Sequence, residues 1–342
     1  MQLSDFHYDI PEELIAVTPP VVRGTSRLLV LDRQTGQIAD RHYPDVVEYL
    51  QPGDVLVIND TKVIKARLLT HKPSGGEREL VLVERHGSTD DWFRHKVIYR
   101  RKLAAGDTLT IGDDTLVVEE IIGDGIAMIR SQRNLLDISE EHGTVPLPPY
   151  MGRQATAVDV ERYQTVFAKE IGSVAAPTAS LNMTEETLQK LRTKGVKVVY
   201  ATLHVGLGTF LPIRVDDVTK HRMHQEYFSV PADTIAAIQQ AKRQGARVVA
   251  LGTTITRTLE YAHDQILNNP PRDISGEADI FIYPGYQFRT IDALLTNFHM
   301  PESTVLMLTA AFAGWDKLRP AYEHAVRQRY RFFSYGDSML IV

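Results

Sequence analysis

Cysteine is absent from all 342 residues, which excludes disulfides, a thiolate nucleophile, iron–sulfur clusters and Cys-ligated zinc together. Any nucleophile or base has to be sought elsewhere. Long hydrophobic runs are also missing: the most apolar stretch, residues 305–313, is too short to span a bilayer and predicts a buried helix. The opening MQLSDFHYDIPEELIAV scatters Asp5, Asp9, Glu12 and Glu13 among its apolar residues, unlike a secretory signal. No GxxxxGK[ST] occurs, and Gly206-x-Gly208 lacks the third glycine and following helix of a dinucleotide fingerprint, which argues against P-loop and NAD sites. Charge of neither sign dominates. With 38 basic and 43 acidic residues the net charge is −5, so affinity for nucleic acid has to come from a local patch. The expectation is a soluble cytoplasmic protein.

What is present is a chain 43% apolar and 24% charged, without low-complexity tracts, long enough for two domains or for one domain carrying an insertion. From about Pro177 onward helix and strand patterns alternate. Thr184 and Gly195 bracket a helix with Leu188 and Leu191 facing inward, and VKVVYATLHV then reads as a buried strand. PADTIAAIQQAKRQG repeats the pattern before the strand RVVALG, and Gly252 turns the chain into a third helix, TITRTLEYA. Strands at ADIFIYP and IDALLTNF and helices near 302–313 and 316–329 complete an α/β region with a largely parallel sheet.

Residues 64–146 differ. Short β-branched runs (ELVLVER, DTLTIG, DTLVVEEII, GIAMIR) are separated by Gly-Asp or Asp-Asp turns, with no long helix before about Leu135, and predict a small β-barrel or sandwich. Because GDVLVIND before it and RYQTVFA after it resemble the α/β region, the expected organisation is an α/β domain of 1–63 and 149–342 interrupted by a β-barrel of 64–148.

Five blocks concentrate small, polar and histidine residues at expected strand ends: SVAAPTASLNM (173–183), TLHVGLGTF (202–210), HRMHQE (221–226), LGTTITRTLE (251–260) and TNFHMP (296–301). In open α/β sheets the carboxyl ends of strands form the ligand crevice, so their coincidence there says more than any one of them. His221, His224 and Glu226 invite a metal reading, but the spacing lies on no clear helix, and a base or hydrogen-bonding role is favoured. His204 and His299 each fit a packed core histidine as well as a catalytic one. RHKVIYRRK (94–102) and RQRYRFF (327–333) interleave arginines with aromatics, which suits phosphate contact with base stacking and equally suits a solvated face.

Together FHYDIPEELIA, SRLLVLDR, GDVLVINDTKVIKARL, VPLPPYM, ERYQTVFAKEIGSVAAPTA, TLHVGLGTF, HRMHQE, RTLE, FIYPGYQF, TNFHMP and YRFFSYGDSMLI resemble the S-adenosylmethionine:tRNA ribosyltransferase-isomerase family of queuosine biosynthesis, in order from Phe6 to Ile341. The resemblance implies an α/β domain interrupted by a barrel. It implies transfer and isomerisation of the ribosyl group of S-adenosylmethionine onto 7-aminomethyl-7-deazaguanine at the tRNA wobble position, giving epoxyqueuosine, adenine and methionine. No metal and no cofactor beyond that substrate is implied, nor any membrane, and the expected state is a monomer or weak homo-oligomer. On position, His204, His224, His299 and Glu226 are the candidates for proton transfer. Ala176, Pro177, Thr178, Asn182, Gly206, Gly208, Thr209, Thr253, Thr254, Arg257 and Asn297 are the candidates for binding S-adenosylmethionine, and Arg101, Lys102, Arg329 and Arg331 for tRNA.

The chain departs from the family's APTAGLHF at Ser180, Asn182 and Met183, from its GTFRP at Leu211, and from a basic residue after HLP at Glu302. Asparagine cannot carry a proton near neutral pH, and Leu211 in place of an arginine with Glu302 in place of a basic residue lowers the local net charge by three. These departures leave room for a divergent paralogue that uses another acceptor, or only binds a nucleoside or RNA.

Overall fold

The computed structural model describes residues 1–84, 91–206, 213 and 215–342. Four strands precede the barrel: β1 (Arg27–Leu31), β2 (Ile38–His42), β3 (Val55–Asn59) and β4 (Thr61–Val63). The closed barrel is built from β5 (Arg67–His71), β6 (Glu77–Leu82), β7 (Arg94–Tyr99), β8 (Thr108–Ile111), β9 (Asp114–Gly123) and β10 (Ile126–Ser131), in the order β10-β7-β6-β5-β8-β9. After it come β11 (Glu170–Ser173), β12 (Lys197–Leu203), β13 (Glu226–Val230), β14 (Val248–Leu251), β15 (Ile274–Ala278), β16 (Ala293–Asn297) and β17 (Ser338–Ile341). The helices are α1 (Val46–Tyr49), α2 (Leu135–His142), α3 (Ala157–Arg162), α4 (Glu185–Lys194), α5 (Ala232–Gln244), α6 (Thr253–Tyr261), α7 (His263–Asn268), α8 (Thr304–Ala313) and α9 (Trp315–Arg327).

Strands from both sides of the barrel share one nine-stranded sheet, ordered β15-β13-β12-β3-β14-β16-β17-β1-β2. The barrel is thus an insertion into an α/β fold. Where the chain leaves for the barrel and returns from it, β4 and β11 pair in parallel, Thr61 opposite Glu170. The sheet is mixed. β12, β3, β14 and β16 run parallel at its centre and β17 runs parallel to β1, while β13, β15 and β2 are antiparallel additions and β17 opposes β16.

Every residue of β3, VLVIN, is buried, as expected of a parallel strand covered on both faces. Val55 and Val57 belong to one core with Ile235 of α5, Ile255 of α6, Leu306 of α8 and Leu318 of α9, whereas Leu56 and Ile58 belong to another with Leu188 and Leu191 of α4. The period-two alternation of side chains thereby makes two cores from one strand. The ends of α4 are local chemistry: the Thr184 hydroxyl accepts from the amide of Thr187, and Gly195 closes the helix at φ 93°, where a side chain would be strained. Inside the barrel Leu68, Leu80, Val97, Leu109, Leu116 and Ile129 form a separate core.

One expected strand is displaced. ADIFIYP is not a strand beyond its first residue; the pairing segment is Ile274–Ala278. Its partner β13 begins at Glu226, opposite Ala278, so the chain after Ala278 has no strand left to pair with. No helix among the described residues is long and apolar enough to cross a membrane.

Candidate active site

The strand ends converge on a cavity of about 370 Å³. After β11, Ala175, Ala176, Pro177, Thr178 and Ala179 form one wall; after β14, Gly252, Thr253 and Thr254 form another; Thr296 to Val305, at and beyond the end of β16, form a third. Tyr150, Tyr163 and Phe333 supply aromatic surface. The small residues 175–179 of SVAAPTASLNM are thus a cavity wall, where short side chains leave room for a ligand. The first turn of α6 also opens here, and its amides, which have no partner within the helix, present donors and a partial positive charge.

Ala176, Pro177, Thr178, Thr253, Thr254, Asn297 and His299 all line this cavity. The Nε2 of His299 lies 2.9 Å from the Thr296 hydroxyl, and its amide donates to the Tyr322 hydroxyl at 3.0 Å. Its Nδ1 makes no hydrogen bond among the described residues. Burial disfavours the imidazolium and holds the ring down at about 3, so it is uncharged at neutral pH. Asn297, 2% exposed, donates to the Asp337 carbonyl at 3.4 Å, and its Oδ1 has no partner among the described residues.

Asn182, His204, Gly206, His224, Glu226 and Arg257 do not line the main cavity. Asn182 is used up structurally: its Oδ1 accepts from the Ser26 hydroxyl at 2.7 Å, and its Nδ2 donates to the Gly336 carbonyl at 2.9 Å and the Ser338 hydroxyl at 3.1 Å. His204 is buried, with Nδ1 2.8 Å from the Thr61 hydroxyl and its ring stacked on Tyr227. HRMHQE precedes β13 instead of following a strand; because β13 is antiparallel to β12, its start still lies at the carboxyl end of β12.

The Glu226 carboxylate there is fully buried, ion-paired to Arg257, 3.3 Å from His224 Nε2, and accepts the Gly206 amide at 3.0 Å. Burial pushes this carboxyl up, but Arg257 and then His224 outweigh burial and hold it at about 2, an ionised group at any working pH. A Cβ at Gly206 would stand 2.2 Å from Oε1 of Glu84, so only glycine lets this barrel carboxylate come so close to the end of β12.

Gly208, Thr209 and Leu211 lie outside the described residues. Arg101 and Lys102 are exposed just beyond β7 of the barrel. Arg329 is exposed and 3.7 Å from Glu13, while Arg331 is half-buried and donates to the Thr18 carbonyl. The sequence reading singles out none of Tyr150, Phe333, Phe298 or Glu84 by itself; VPLPPYM, YRFFSYG, TNFHMP and ELVLVER carry them only as parts of longer blocks.

A family model described as "Queuosine biosynthesis protein" matches residues 3–341. The chain belongs to this family. Among queuosine biosynthesis proteins it is similar to the S-adenosylmethionine:tRNA ribosyltransferase-isomerase of Chlorobium phaeobacteroides, 54% identical over 345 residues with 100% of both chains covered. It is 47% identical over 343 residues to the protein of the same name from Francisella tularensis, with 100% of this chain and 99% of that one covered. The crystal structure of S-adenosylmethionine tRNA ribosyltransferase from Thermotoga maritima superposes with a TM-score of 0.58 at 36% identity, covering 99% of this chain and 100% of that one.

Within this family's frame the departures separate by position. Ser180, Asn182 and Met183 are buried and do not line the cavity, whereas Glu302 does. The Glu302 carboxylate lies 3.3 Å from Nδ1 of His7.

Proposed function

We propose that the chain transfers and isomerises the ribosyl group of S-adenosylmethionine onto 7-aminomethyl-7-deazaguanine at the wobble position of tRNA, forming epoxyqueuosine and releasing adenine and methionine. The observation that carries this reading is identity of 47–54% over the whole chain to proteins named for that activity. The cavity's position at the carboxyl ends of β14 and β16 supports it. Three of the five departures, Ser180, Asn182 and Met183, lie behind the cavity wall, which weighs against a paralogue with another acceptor. In this proposal the reaction needs no cofactor beyond S-adenosylmethionine and takes place in the cytoplasm, where its tRNA is found.

The chemistry asks for a proton acceptor near the carbon beside the sulfonium, for a donor to the departing adenine, and for little water around a carbanion-like species. Of the four proton-transfer candidates only His299 lines the cavity. Being uncharged, it does not repel the sulfonium cation, and its Nδ1, without a hydrogen bond among the described residues, can exchange a proton. The apolar and aromatic walls restrict water, and the amides at the start of α6 favour electron-rich ligand groups. Arg101, Lys102 and Arg329, all exposed, are the proposed contacts to tRNA phosphate.

The test is incubation with S-adenosylmethionine and tRNA carrying 7-aminomethyl-7-deazaguanine, followed by mass spectrometry of the digested nucleosides and chromatography of free adenine. Epoxyqueuosine and adenine in equal amounts are expected. A folded protein that yields neither sinks the reading.

A further inference from the structure

Arg257 is 7% exposed, and only Nη1 of its guanidinium is bonded, to Glu226; Nε and Nη2 have no partner among the described residues. Unused donors on a buried cation are costly and call for an explanation. Arg257 follows Thr253 by four residues on α6, which puts both on one face, and long side chains on helices lean toward the N-terminus, here toward the cavity. It lines a second void of about 20 Å³ with Met223, Ile280 and Phe281, room for one water-sized group. Thr304 and Val305 line both this void and the main cavity.

Those two residues open α8, a ten-residue helix capped by Ser303, whose hydroxyl accepts from Leu306. The amides of Thr304 and Val305 have no partner within the helix, and the helix dipole is positive at this end. The small void is therefore bracketed by two unused guanidinium donors and by a helix N-terminus, with apolar side chains elsewhere. Resting on the proposed reading that S-adenosylmethionine occupies the main cavity, we propose that Arg257 and the first turn of α8 seat the carboxylate of its methionyl tail, one oxygen entering the void. Glu226 fixes the guanidinium from the other side, so Arg257 bridges a protein carboxylate and a ligand carboxylate.

Calorimetric titration of the full chain with S-adenosylmethionine, its decarboxylated analogue and 5′-methylthioadenosine tests this. A carboxylate held by charge-assisted hydrogen bonds makes the wild type bind S-adenosylmethionine about 10- to 100-fold more tightly than the decarboxylated analogue. The paired change Glu226→Gln with Arg257→Gln removes the cation without leaving a buried carboxylate unpaired. It should weaken S-adenosylmethionine by about tenfold or more while the other two ligands stay within about twofold. Thr304→Pro gives an independent arm read against Thr304→Val, because proline is accepted at the first helical position and removes the amide N–H along with the hydroxyl, whereas valine removes the hydroxyl alone; relative to Thr304→Val, S-adenosylmethionine alone should weaken further, by several-fold. Equal wild-type binding of S-adenosylmethionine and the decarboxylated analogue overturns the seat, as does equal weakening of all three ligands in both variants; the void then holds water and Arg257 only pairs Glu226. Absence of any binding overturns the seat together with the reading it rests on. Carboxylate discrimination without adenine release in the presence of tRNA leaves the seat standing and removes the proposed reaction.

Discussion

The imidazole of His299 and the hydroxyl of Thr296 meet at 2.9 Å across the end of β16, inside the cavity wall. This interaction occupies one ring nitrogen, the other has no hydrogen bond among the described residues, and burial keeps the ring neutral down to about pH 3. His299→Gln retains a hydrogen bond to Thr296 but cannot exchange a proton, so adenine release should fall by about 100-fold or more with S-adenosylmethionine affinity little changed. The ring also predicts a stability profile. An unfolded chain takes up a proton here as pH falls through the ordinary 6.5, whereas the folded chain resists until about 3. The unfolded state then binds more protons, so this contribution to stability is fully present above 6.5 and is lost as pH falls toward 3. Melting temperatures between pH 7 and 4 should therefore drop less for His299→Gln than for the wild type.

Asn182 offers a contrast, because every bond it makes is internal. Asn182→Ala strands the buried Ser26 and Ser338 hydroxyls and the Gly336 carbonyl, and should cost about 2–4 kcal/mol in urea denaturation. Binding of S-adenosylmethionine to the folded variant should be nearly unaffected. By the same geometry, Asn182→His places no titratable group in the cavity, and adenine release should not rise. A gain in turnover would contradict the placement of this residue behind the wall.

Arg101 sits at φ 67°, a left-handed conformation that asparagine tolerates, so Arg101→Asn with Lys102→Gln removes two charges while sparing the turn. If both meet phosphate, the log–log salt slope of tRNA binding should become shallower by about two, roughly one for each phosphate no longer neutralised, with affinity for S-adenosylmethionine unchanged. An unchanged slope in filter-binding assays would make this run a solvated loop of the barrel.

Features set by neighbours in sequence are legible there, and features set by distant pairing are not. Thr184 and Gly195 mark the ends of α4 because caps are local, and the barrel strands stand out because their alternation and turns are local too. The strand expected at ADIFIYP is displaced because its limit is set by where β13 begins, some fifty residues earlier. The blocks around the cavity are legible as strand ends, but not which histidine faces inward: His204 turns to Thr61, His224 to Glu226, and only His299 to the cavity. Nor does anything in the barrel's sequence mark Glu84, whose closeness to Gly206 depends on how the insertion folds back onto β12.

Glu302 is the one described departure from the family pattern that faces the cavity, and its consequences can be separated by ligand. Its carboxylate, 40% exposed, lies near His7, and its amide donates to the Phe6 carbonyl at 3.2 Å, so the residue ties the N-terminal segment to the cavity's rim. Glu302→Lys swings the local charge by two. S-adenosylmethionine carries a sulfonium and an ammonium, so its affinity should fall, but at this exposure screening should limit the loss to about threefold. Transfer RNA approaching the same rim is polyanionic, and its affinity should rise with a salt slope steeper by about one. Glu302→Gln should shift both ligands in the same directions by less. If Glu302→Lys leaves tRNA binding and its salt dependence unchanged, tRNA phosphates do not pass this rim, and the loss of a basic residue here has no bearing on the acceptor.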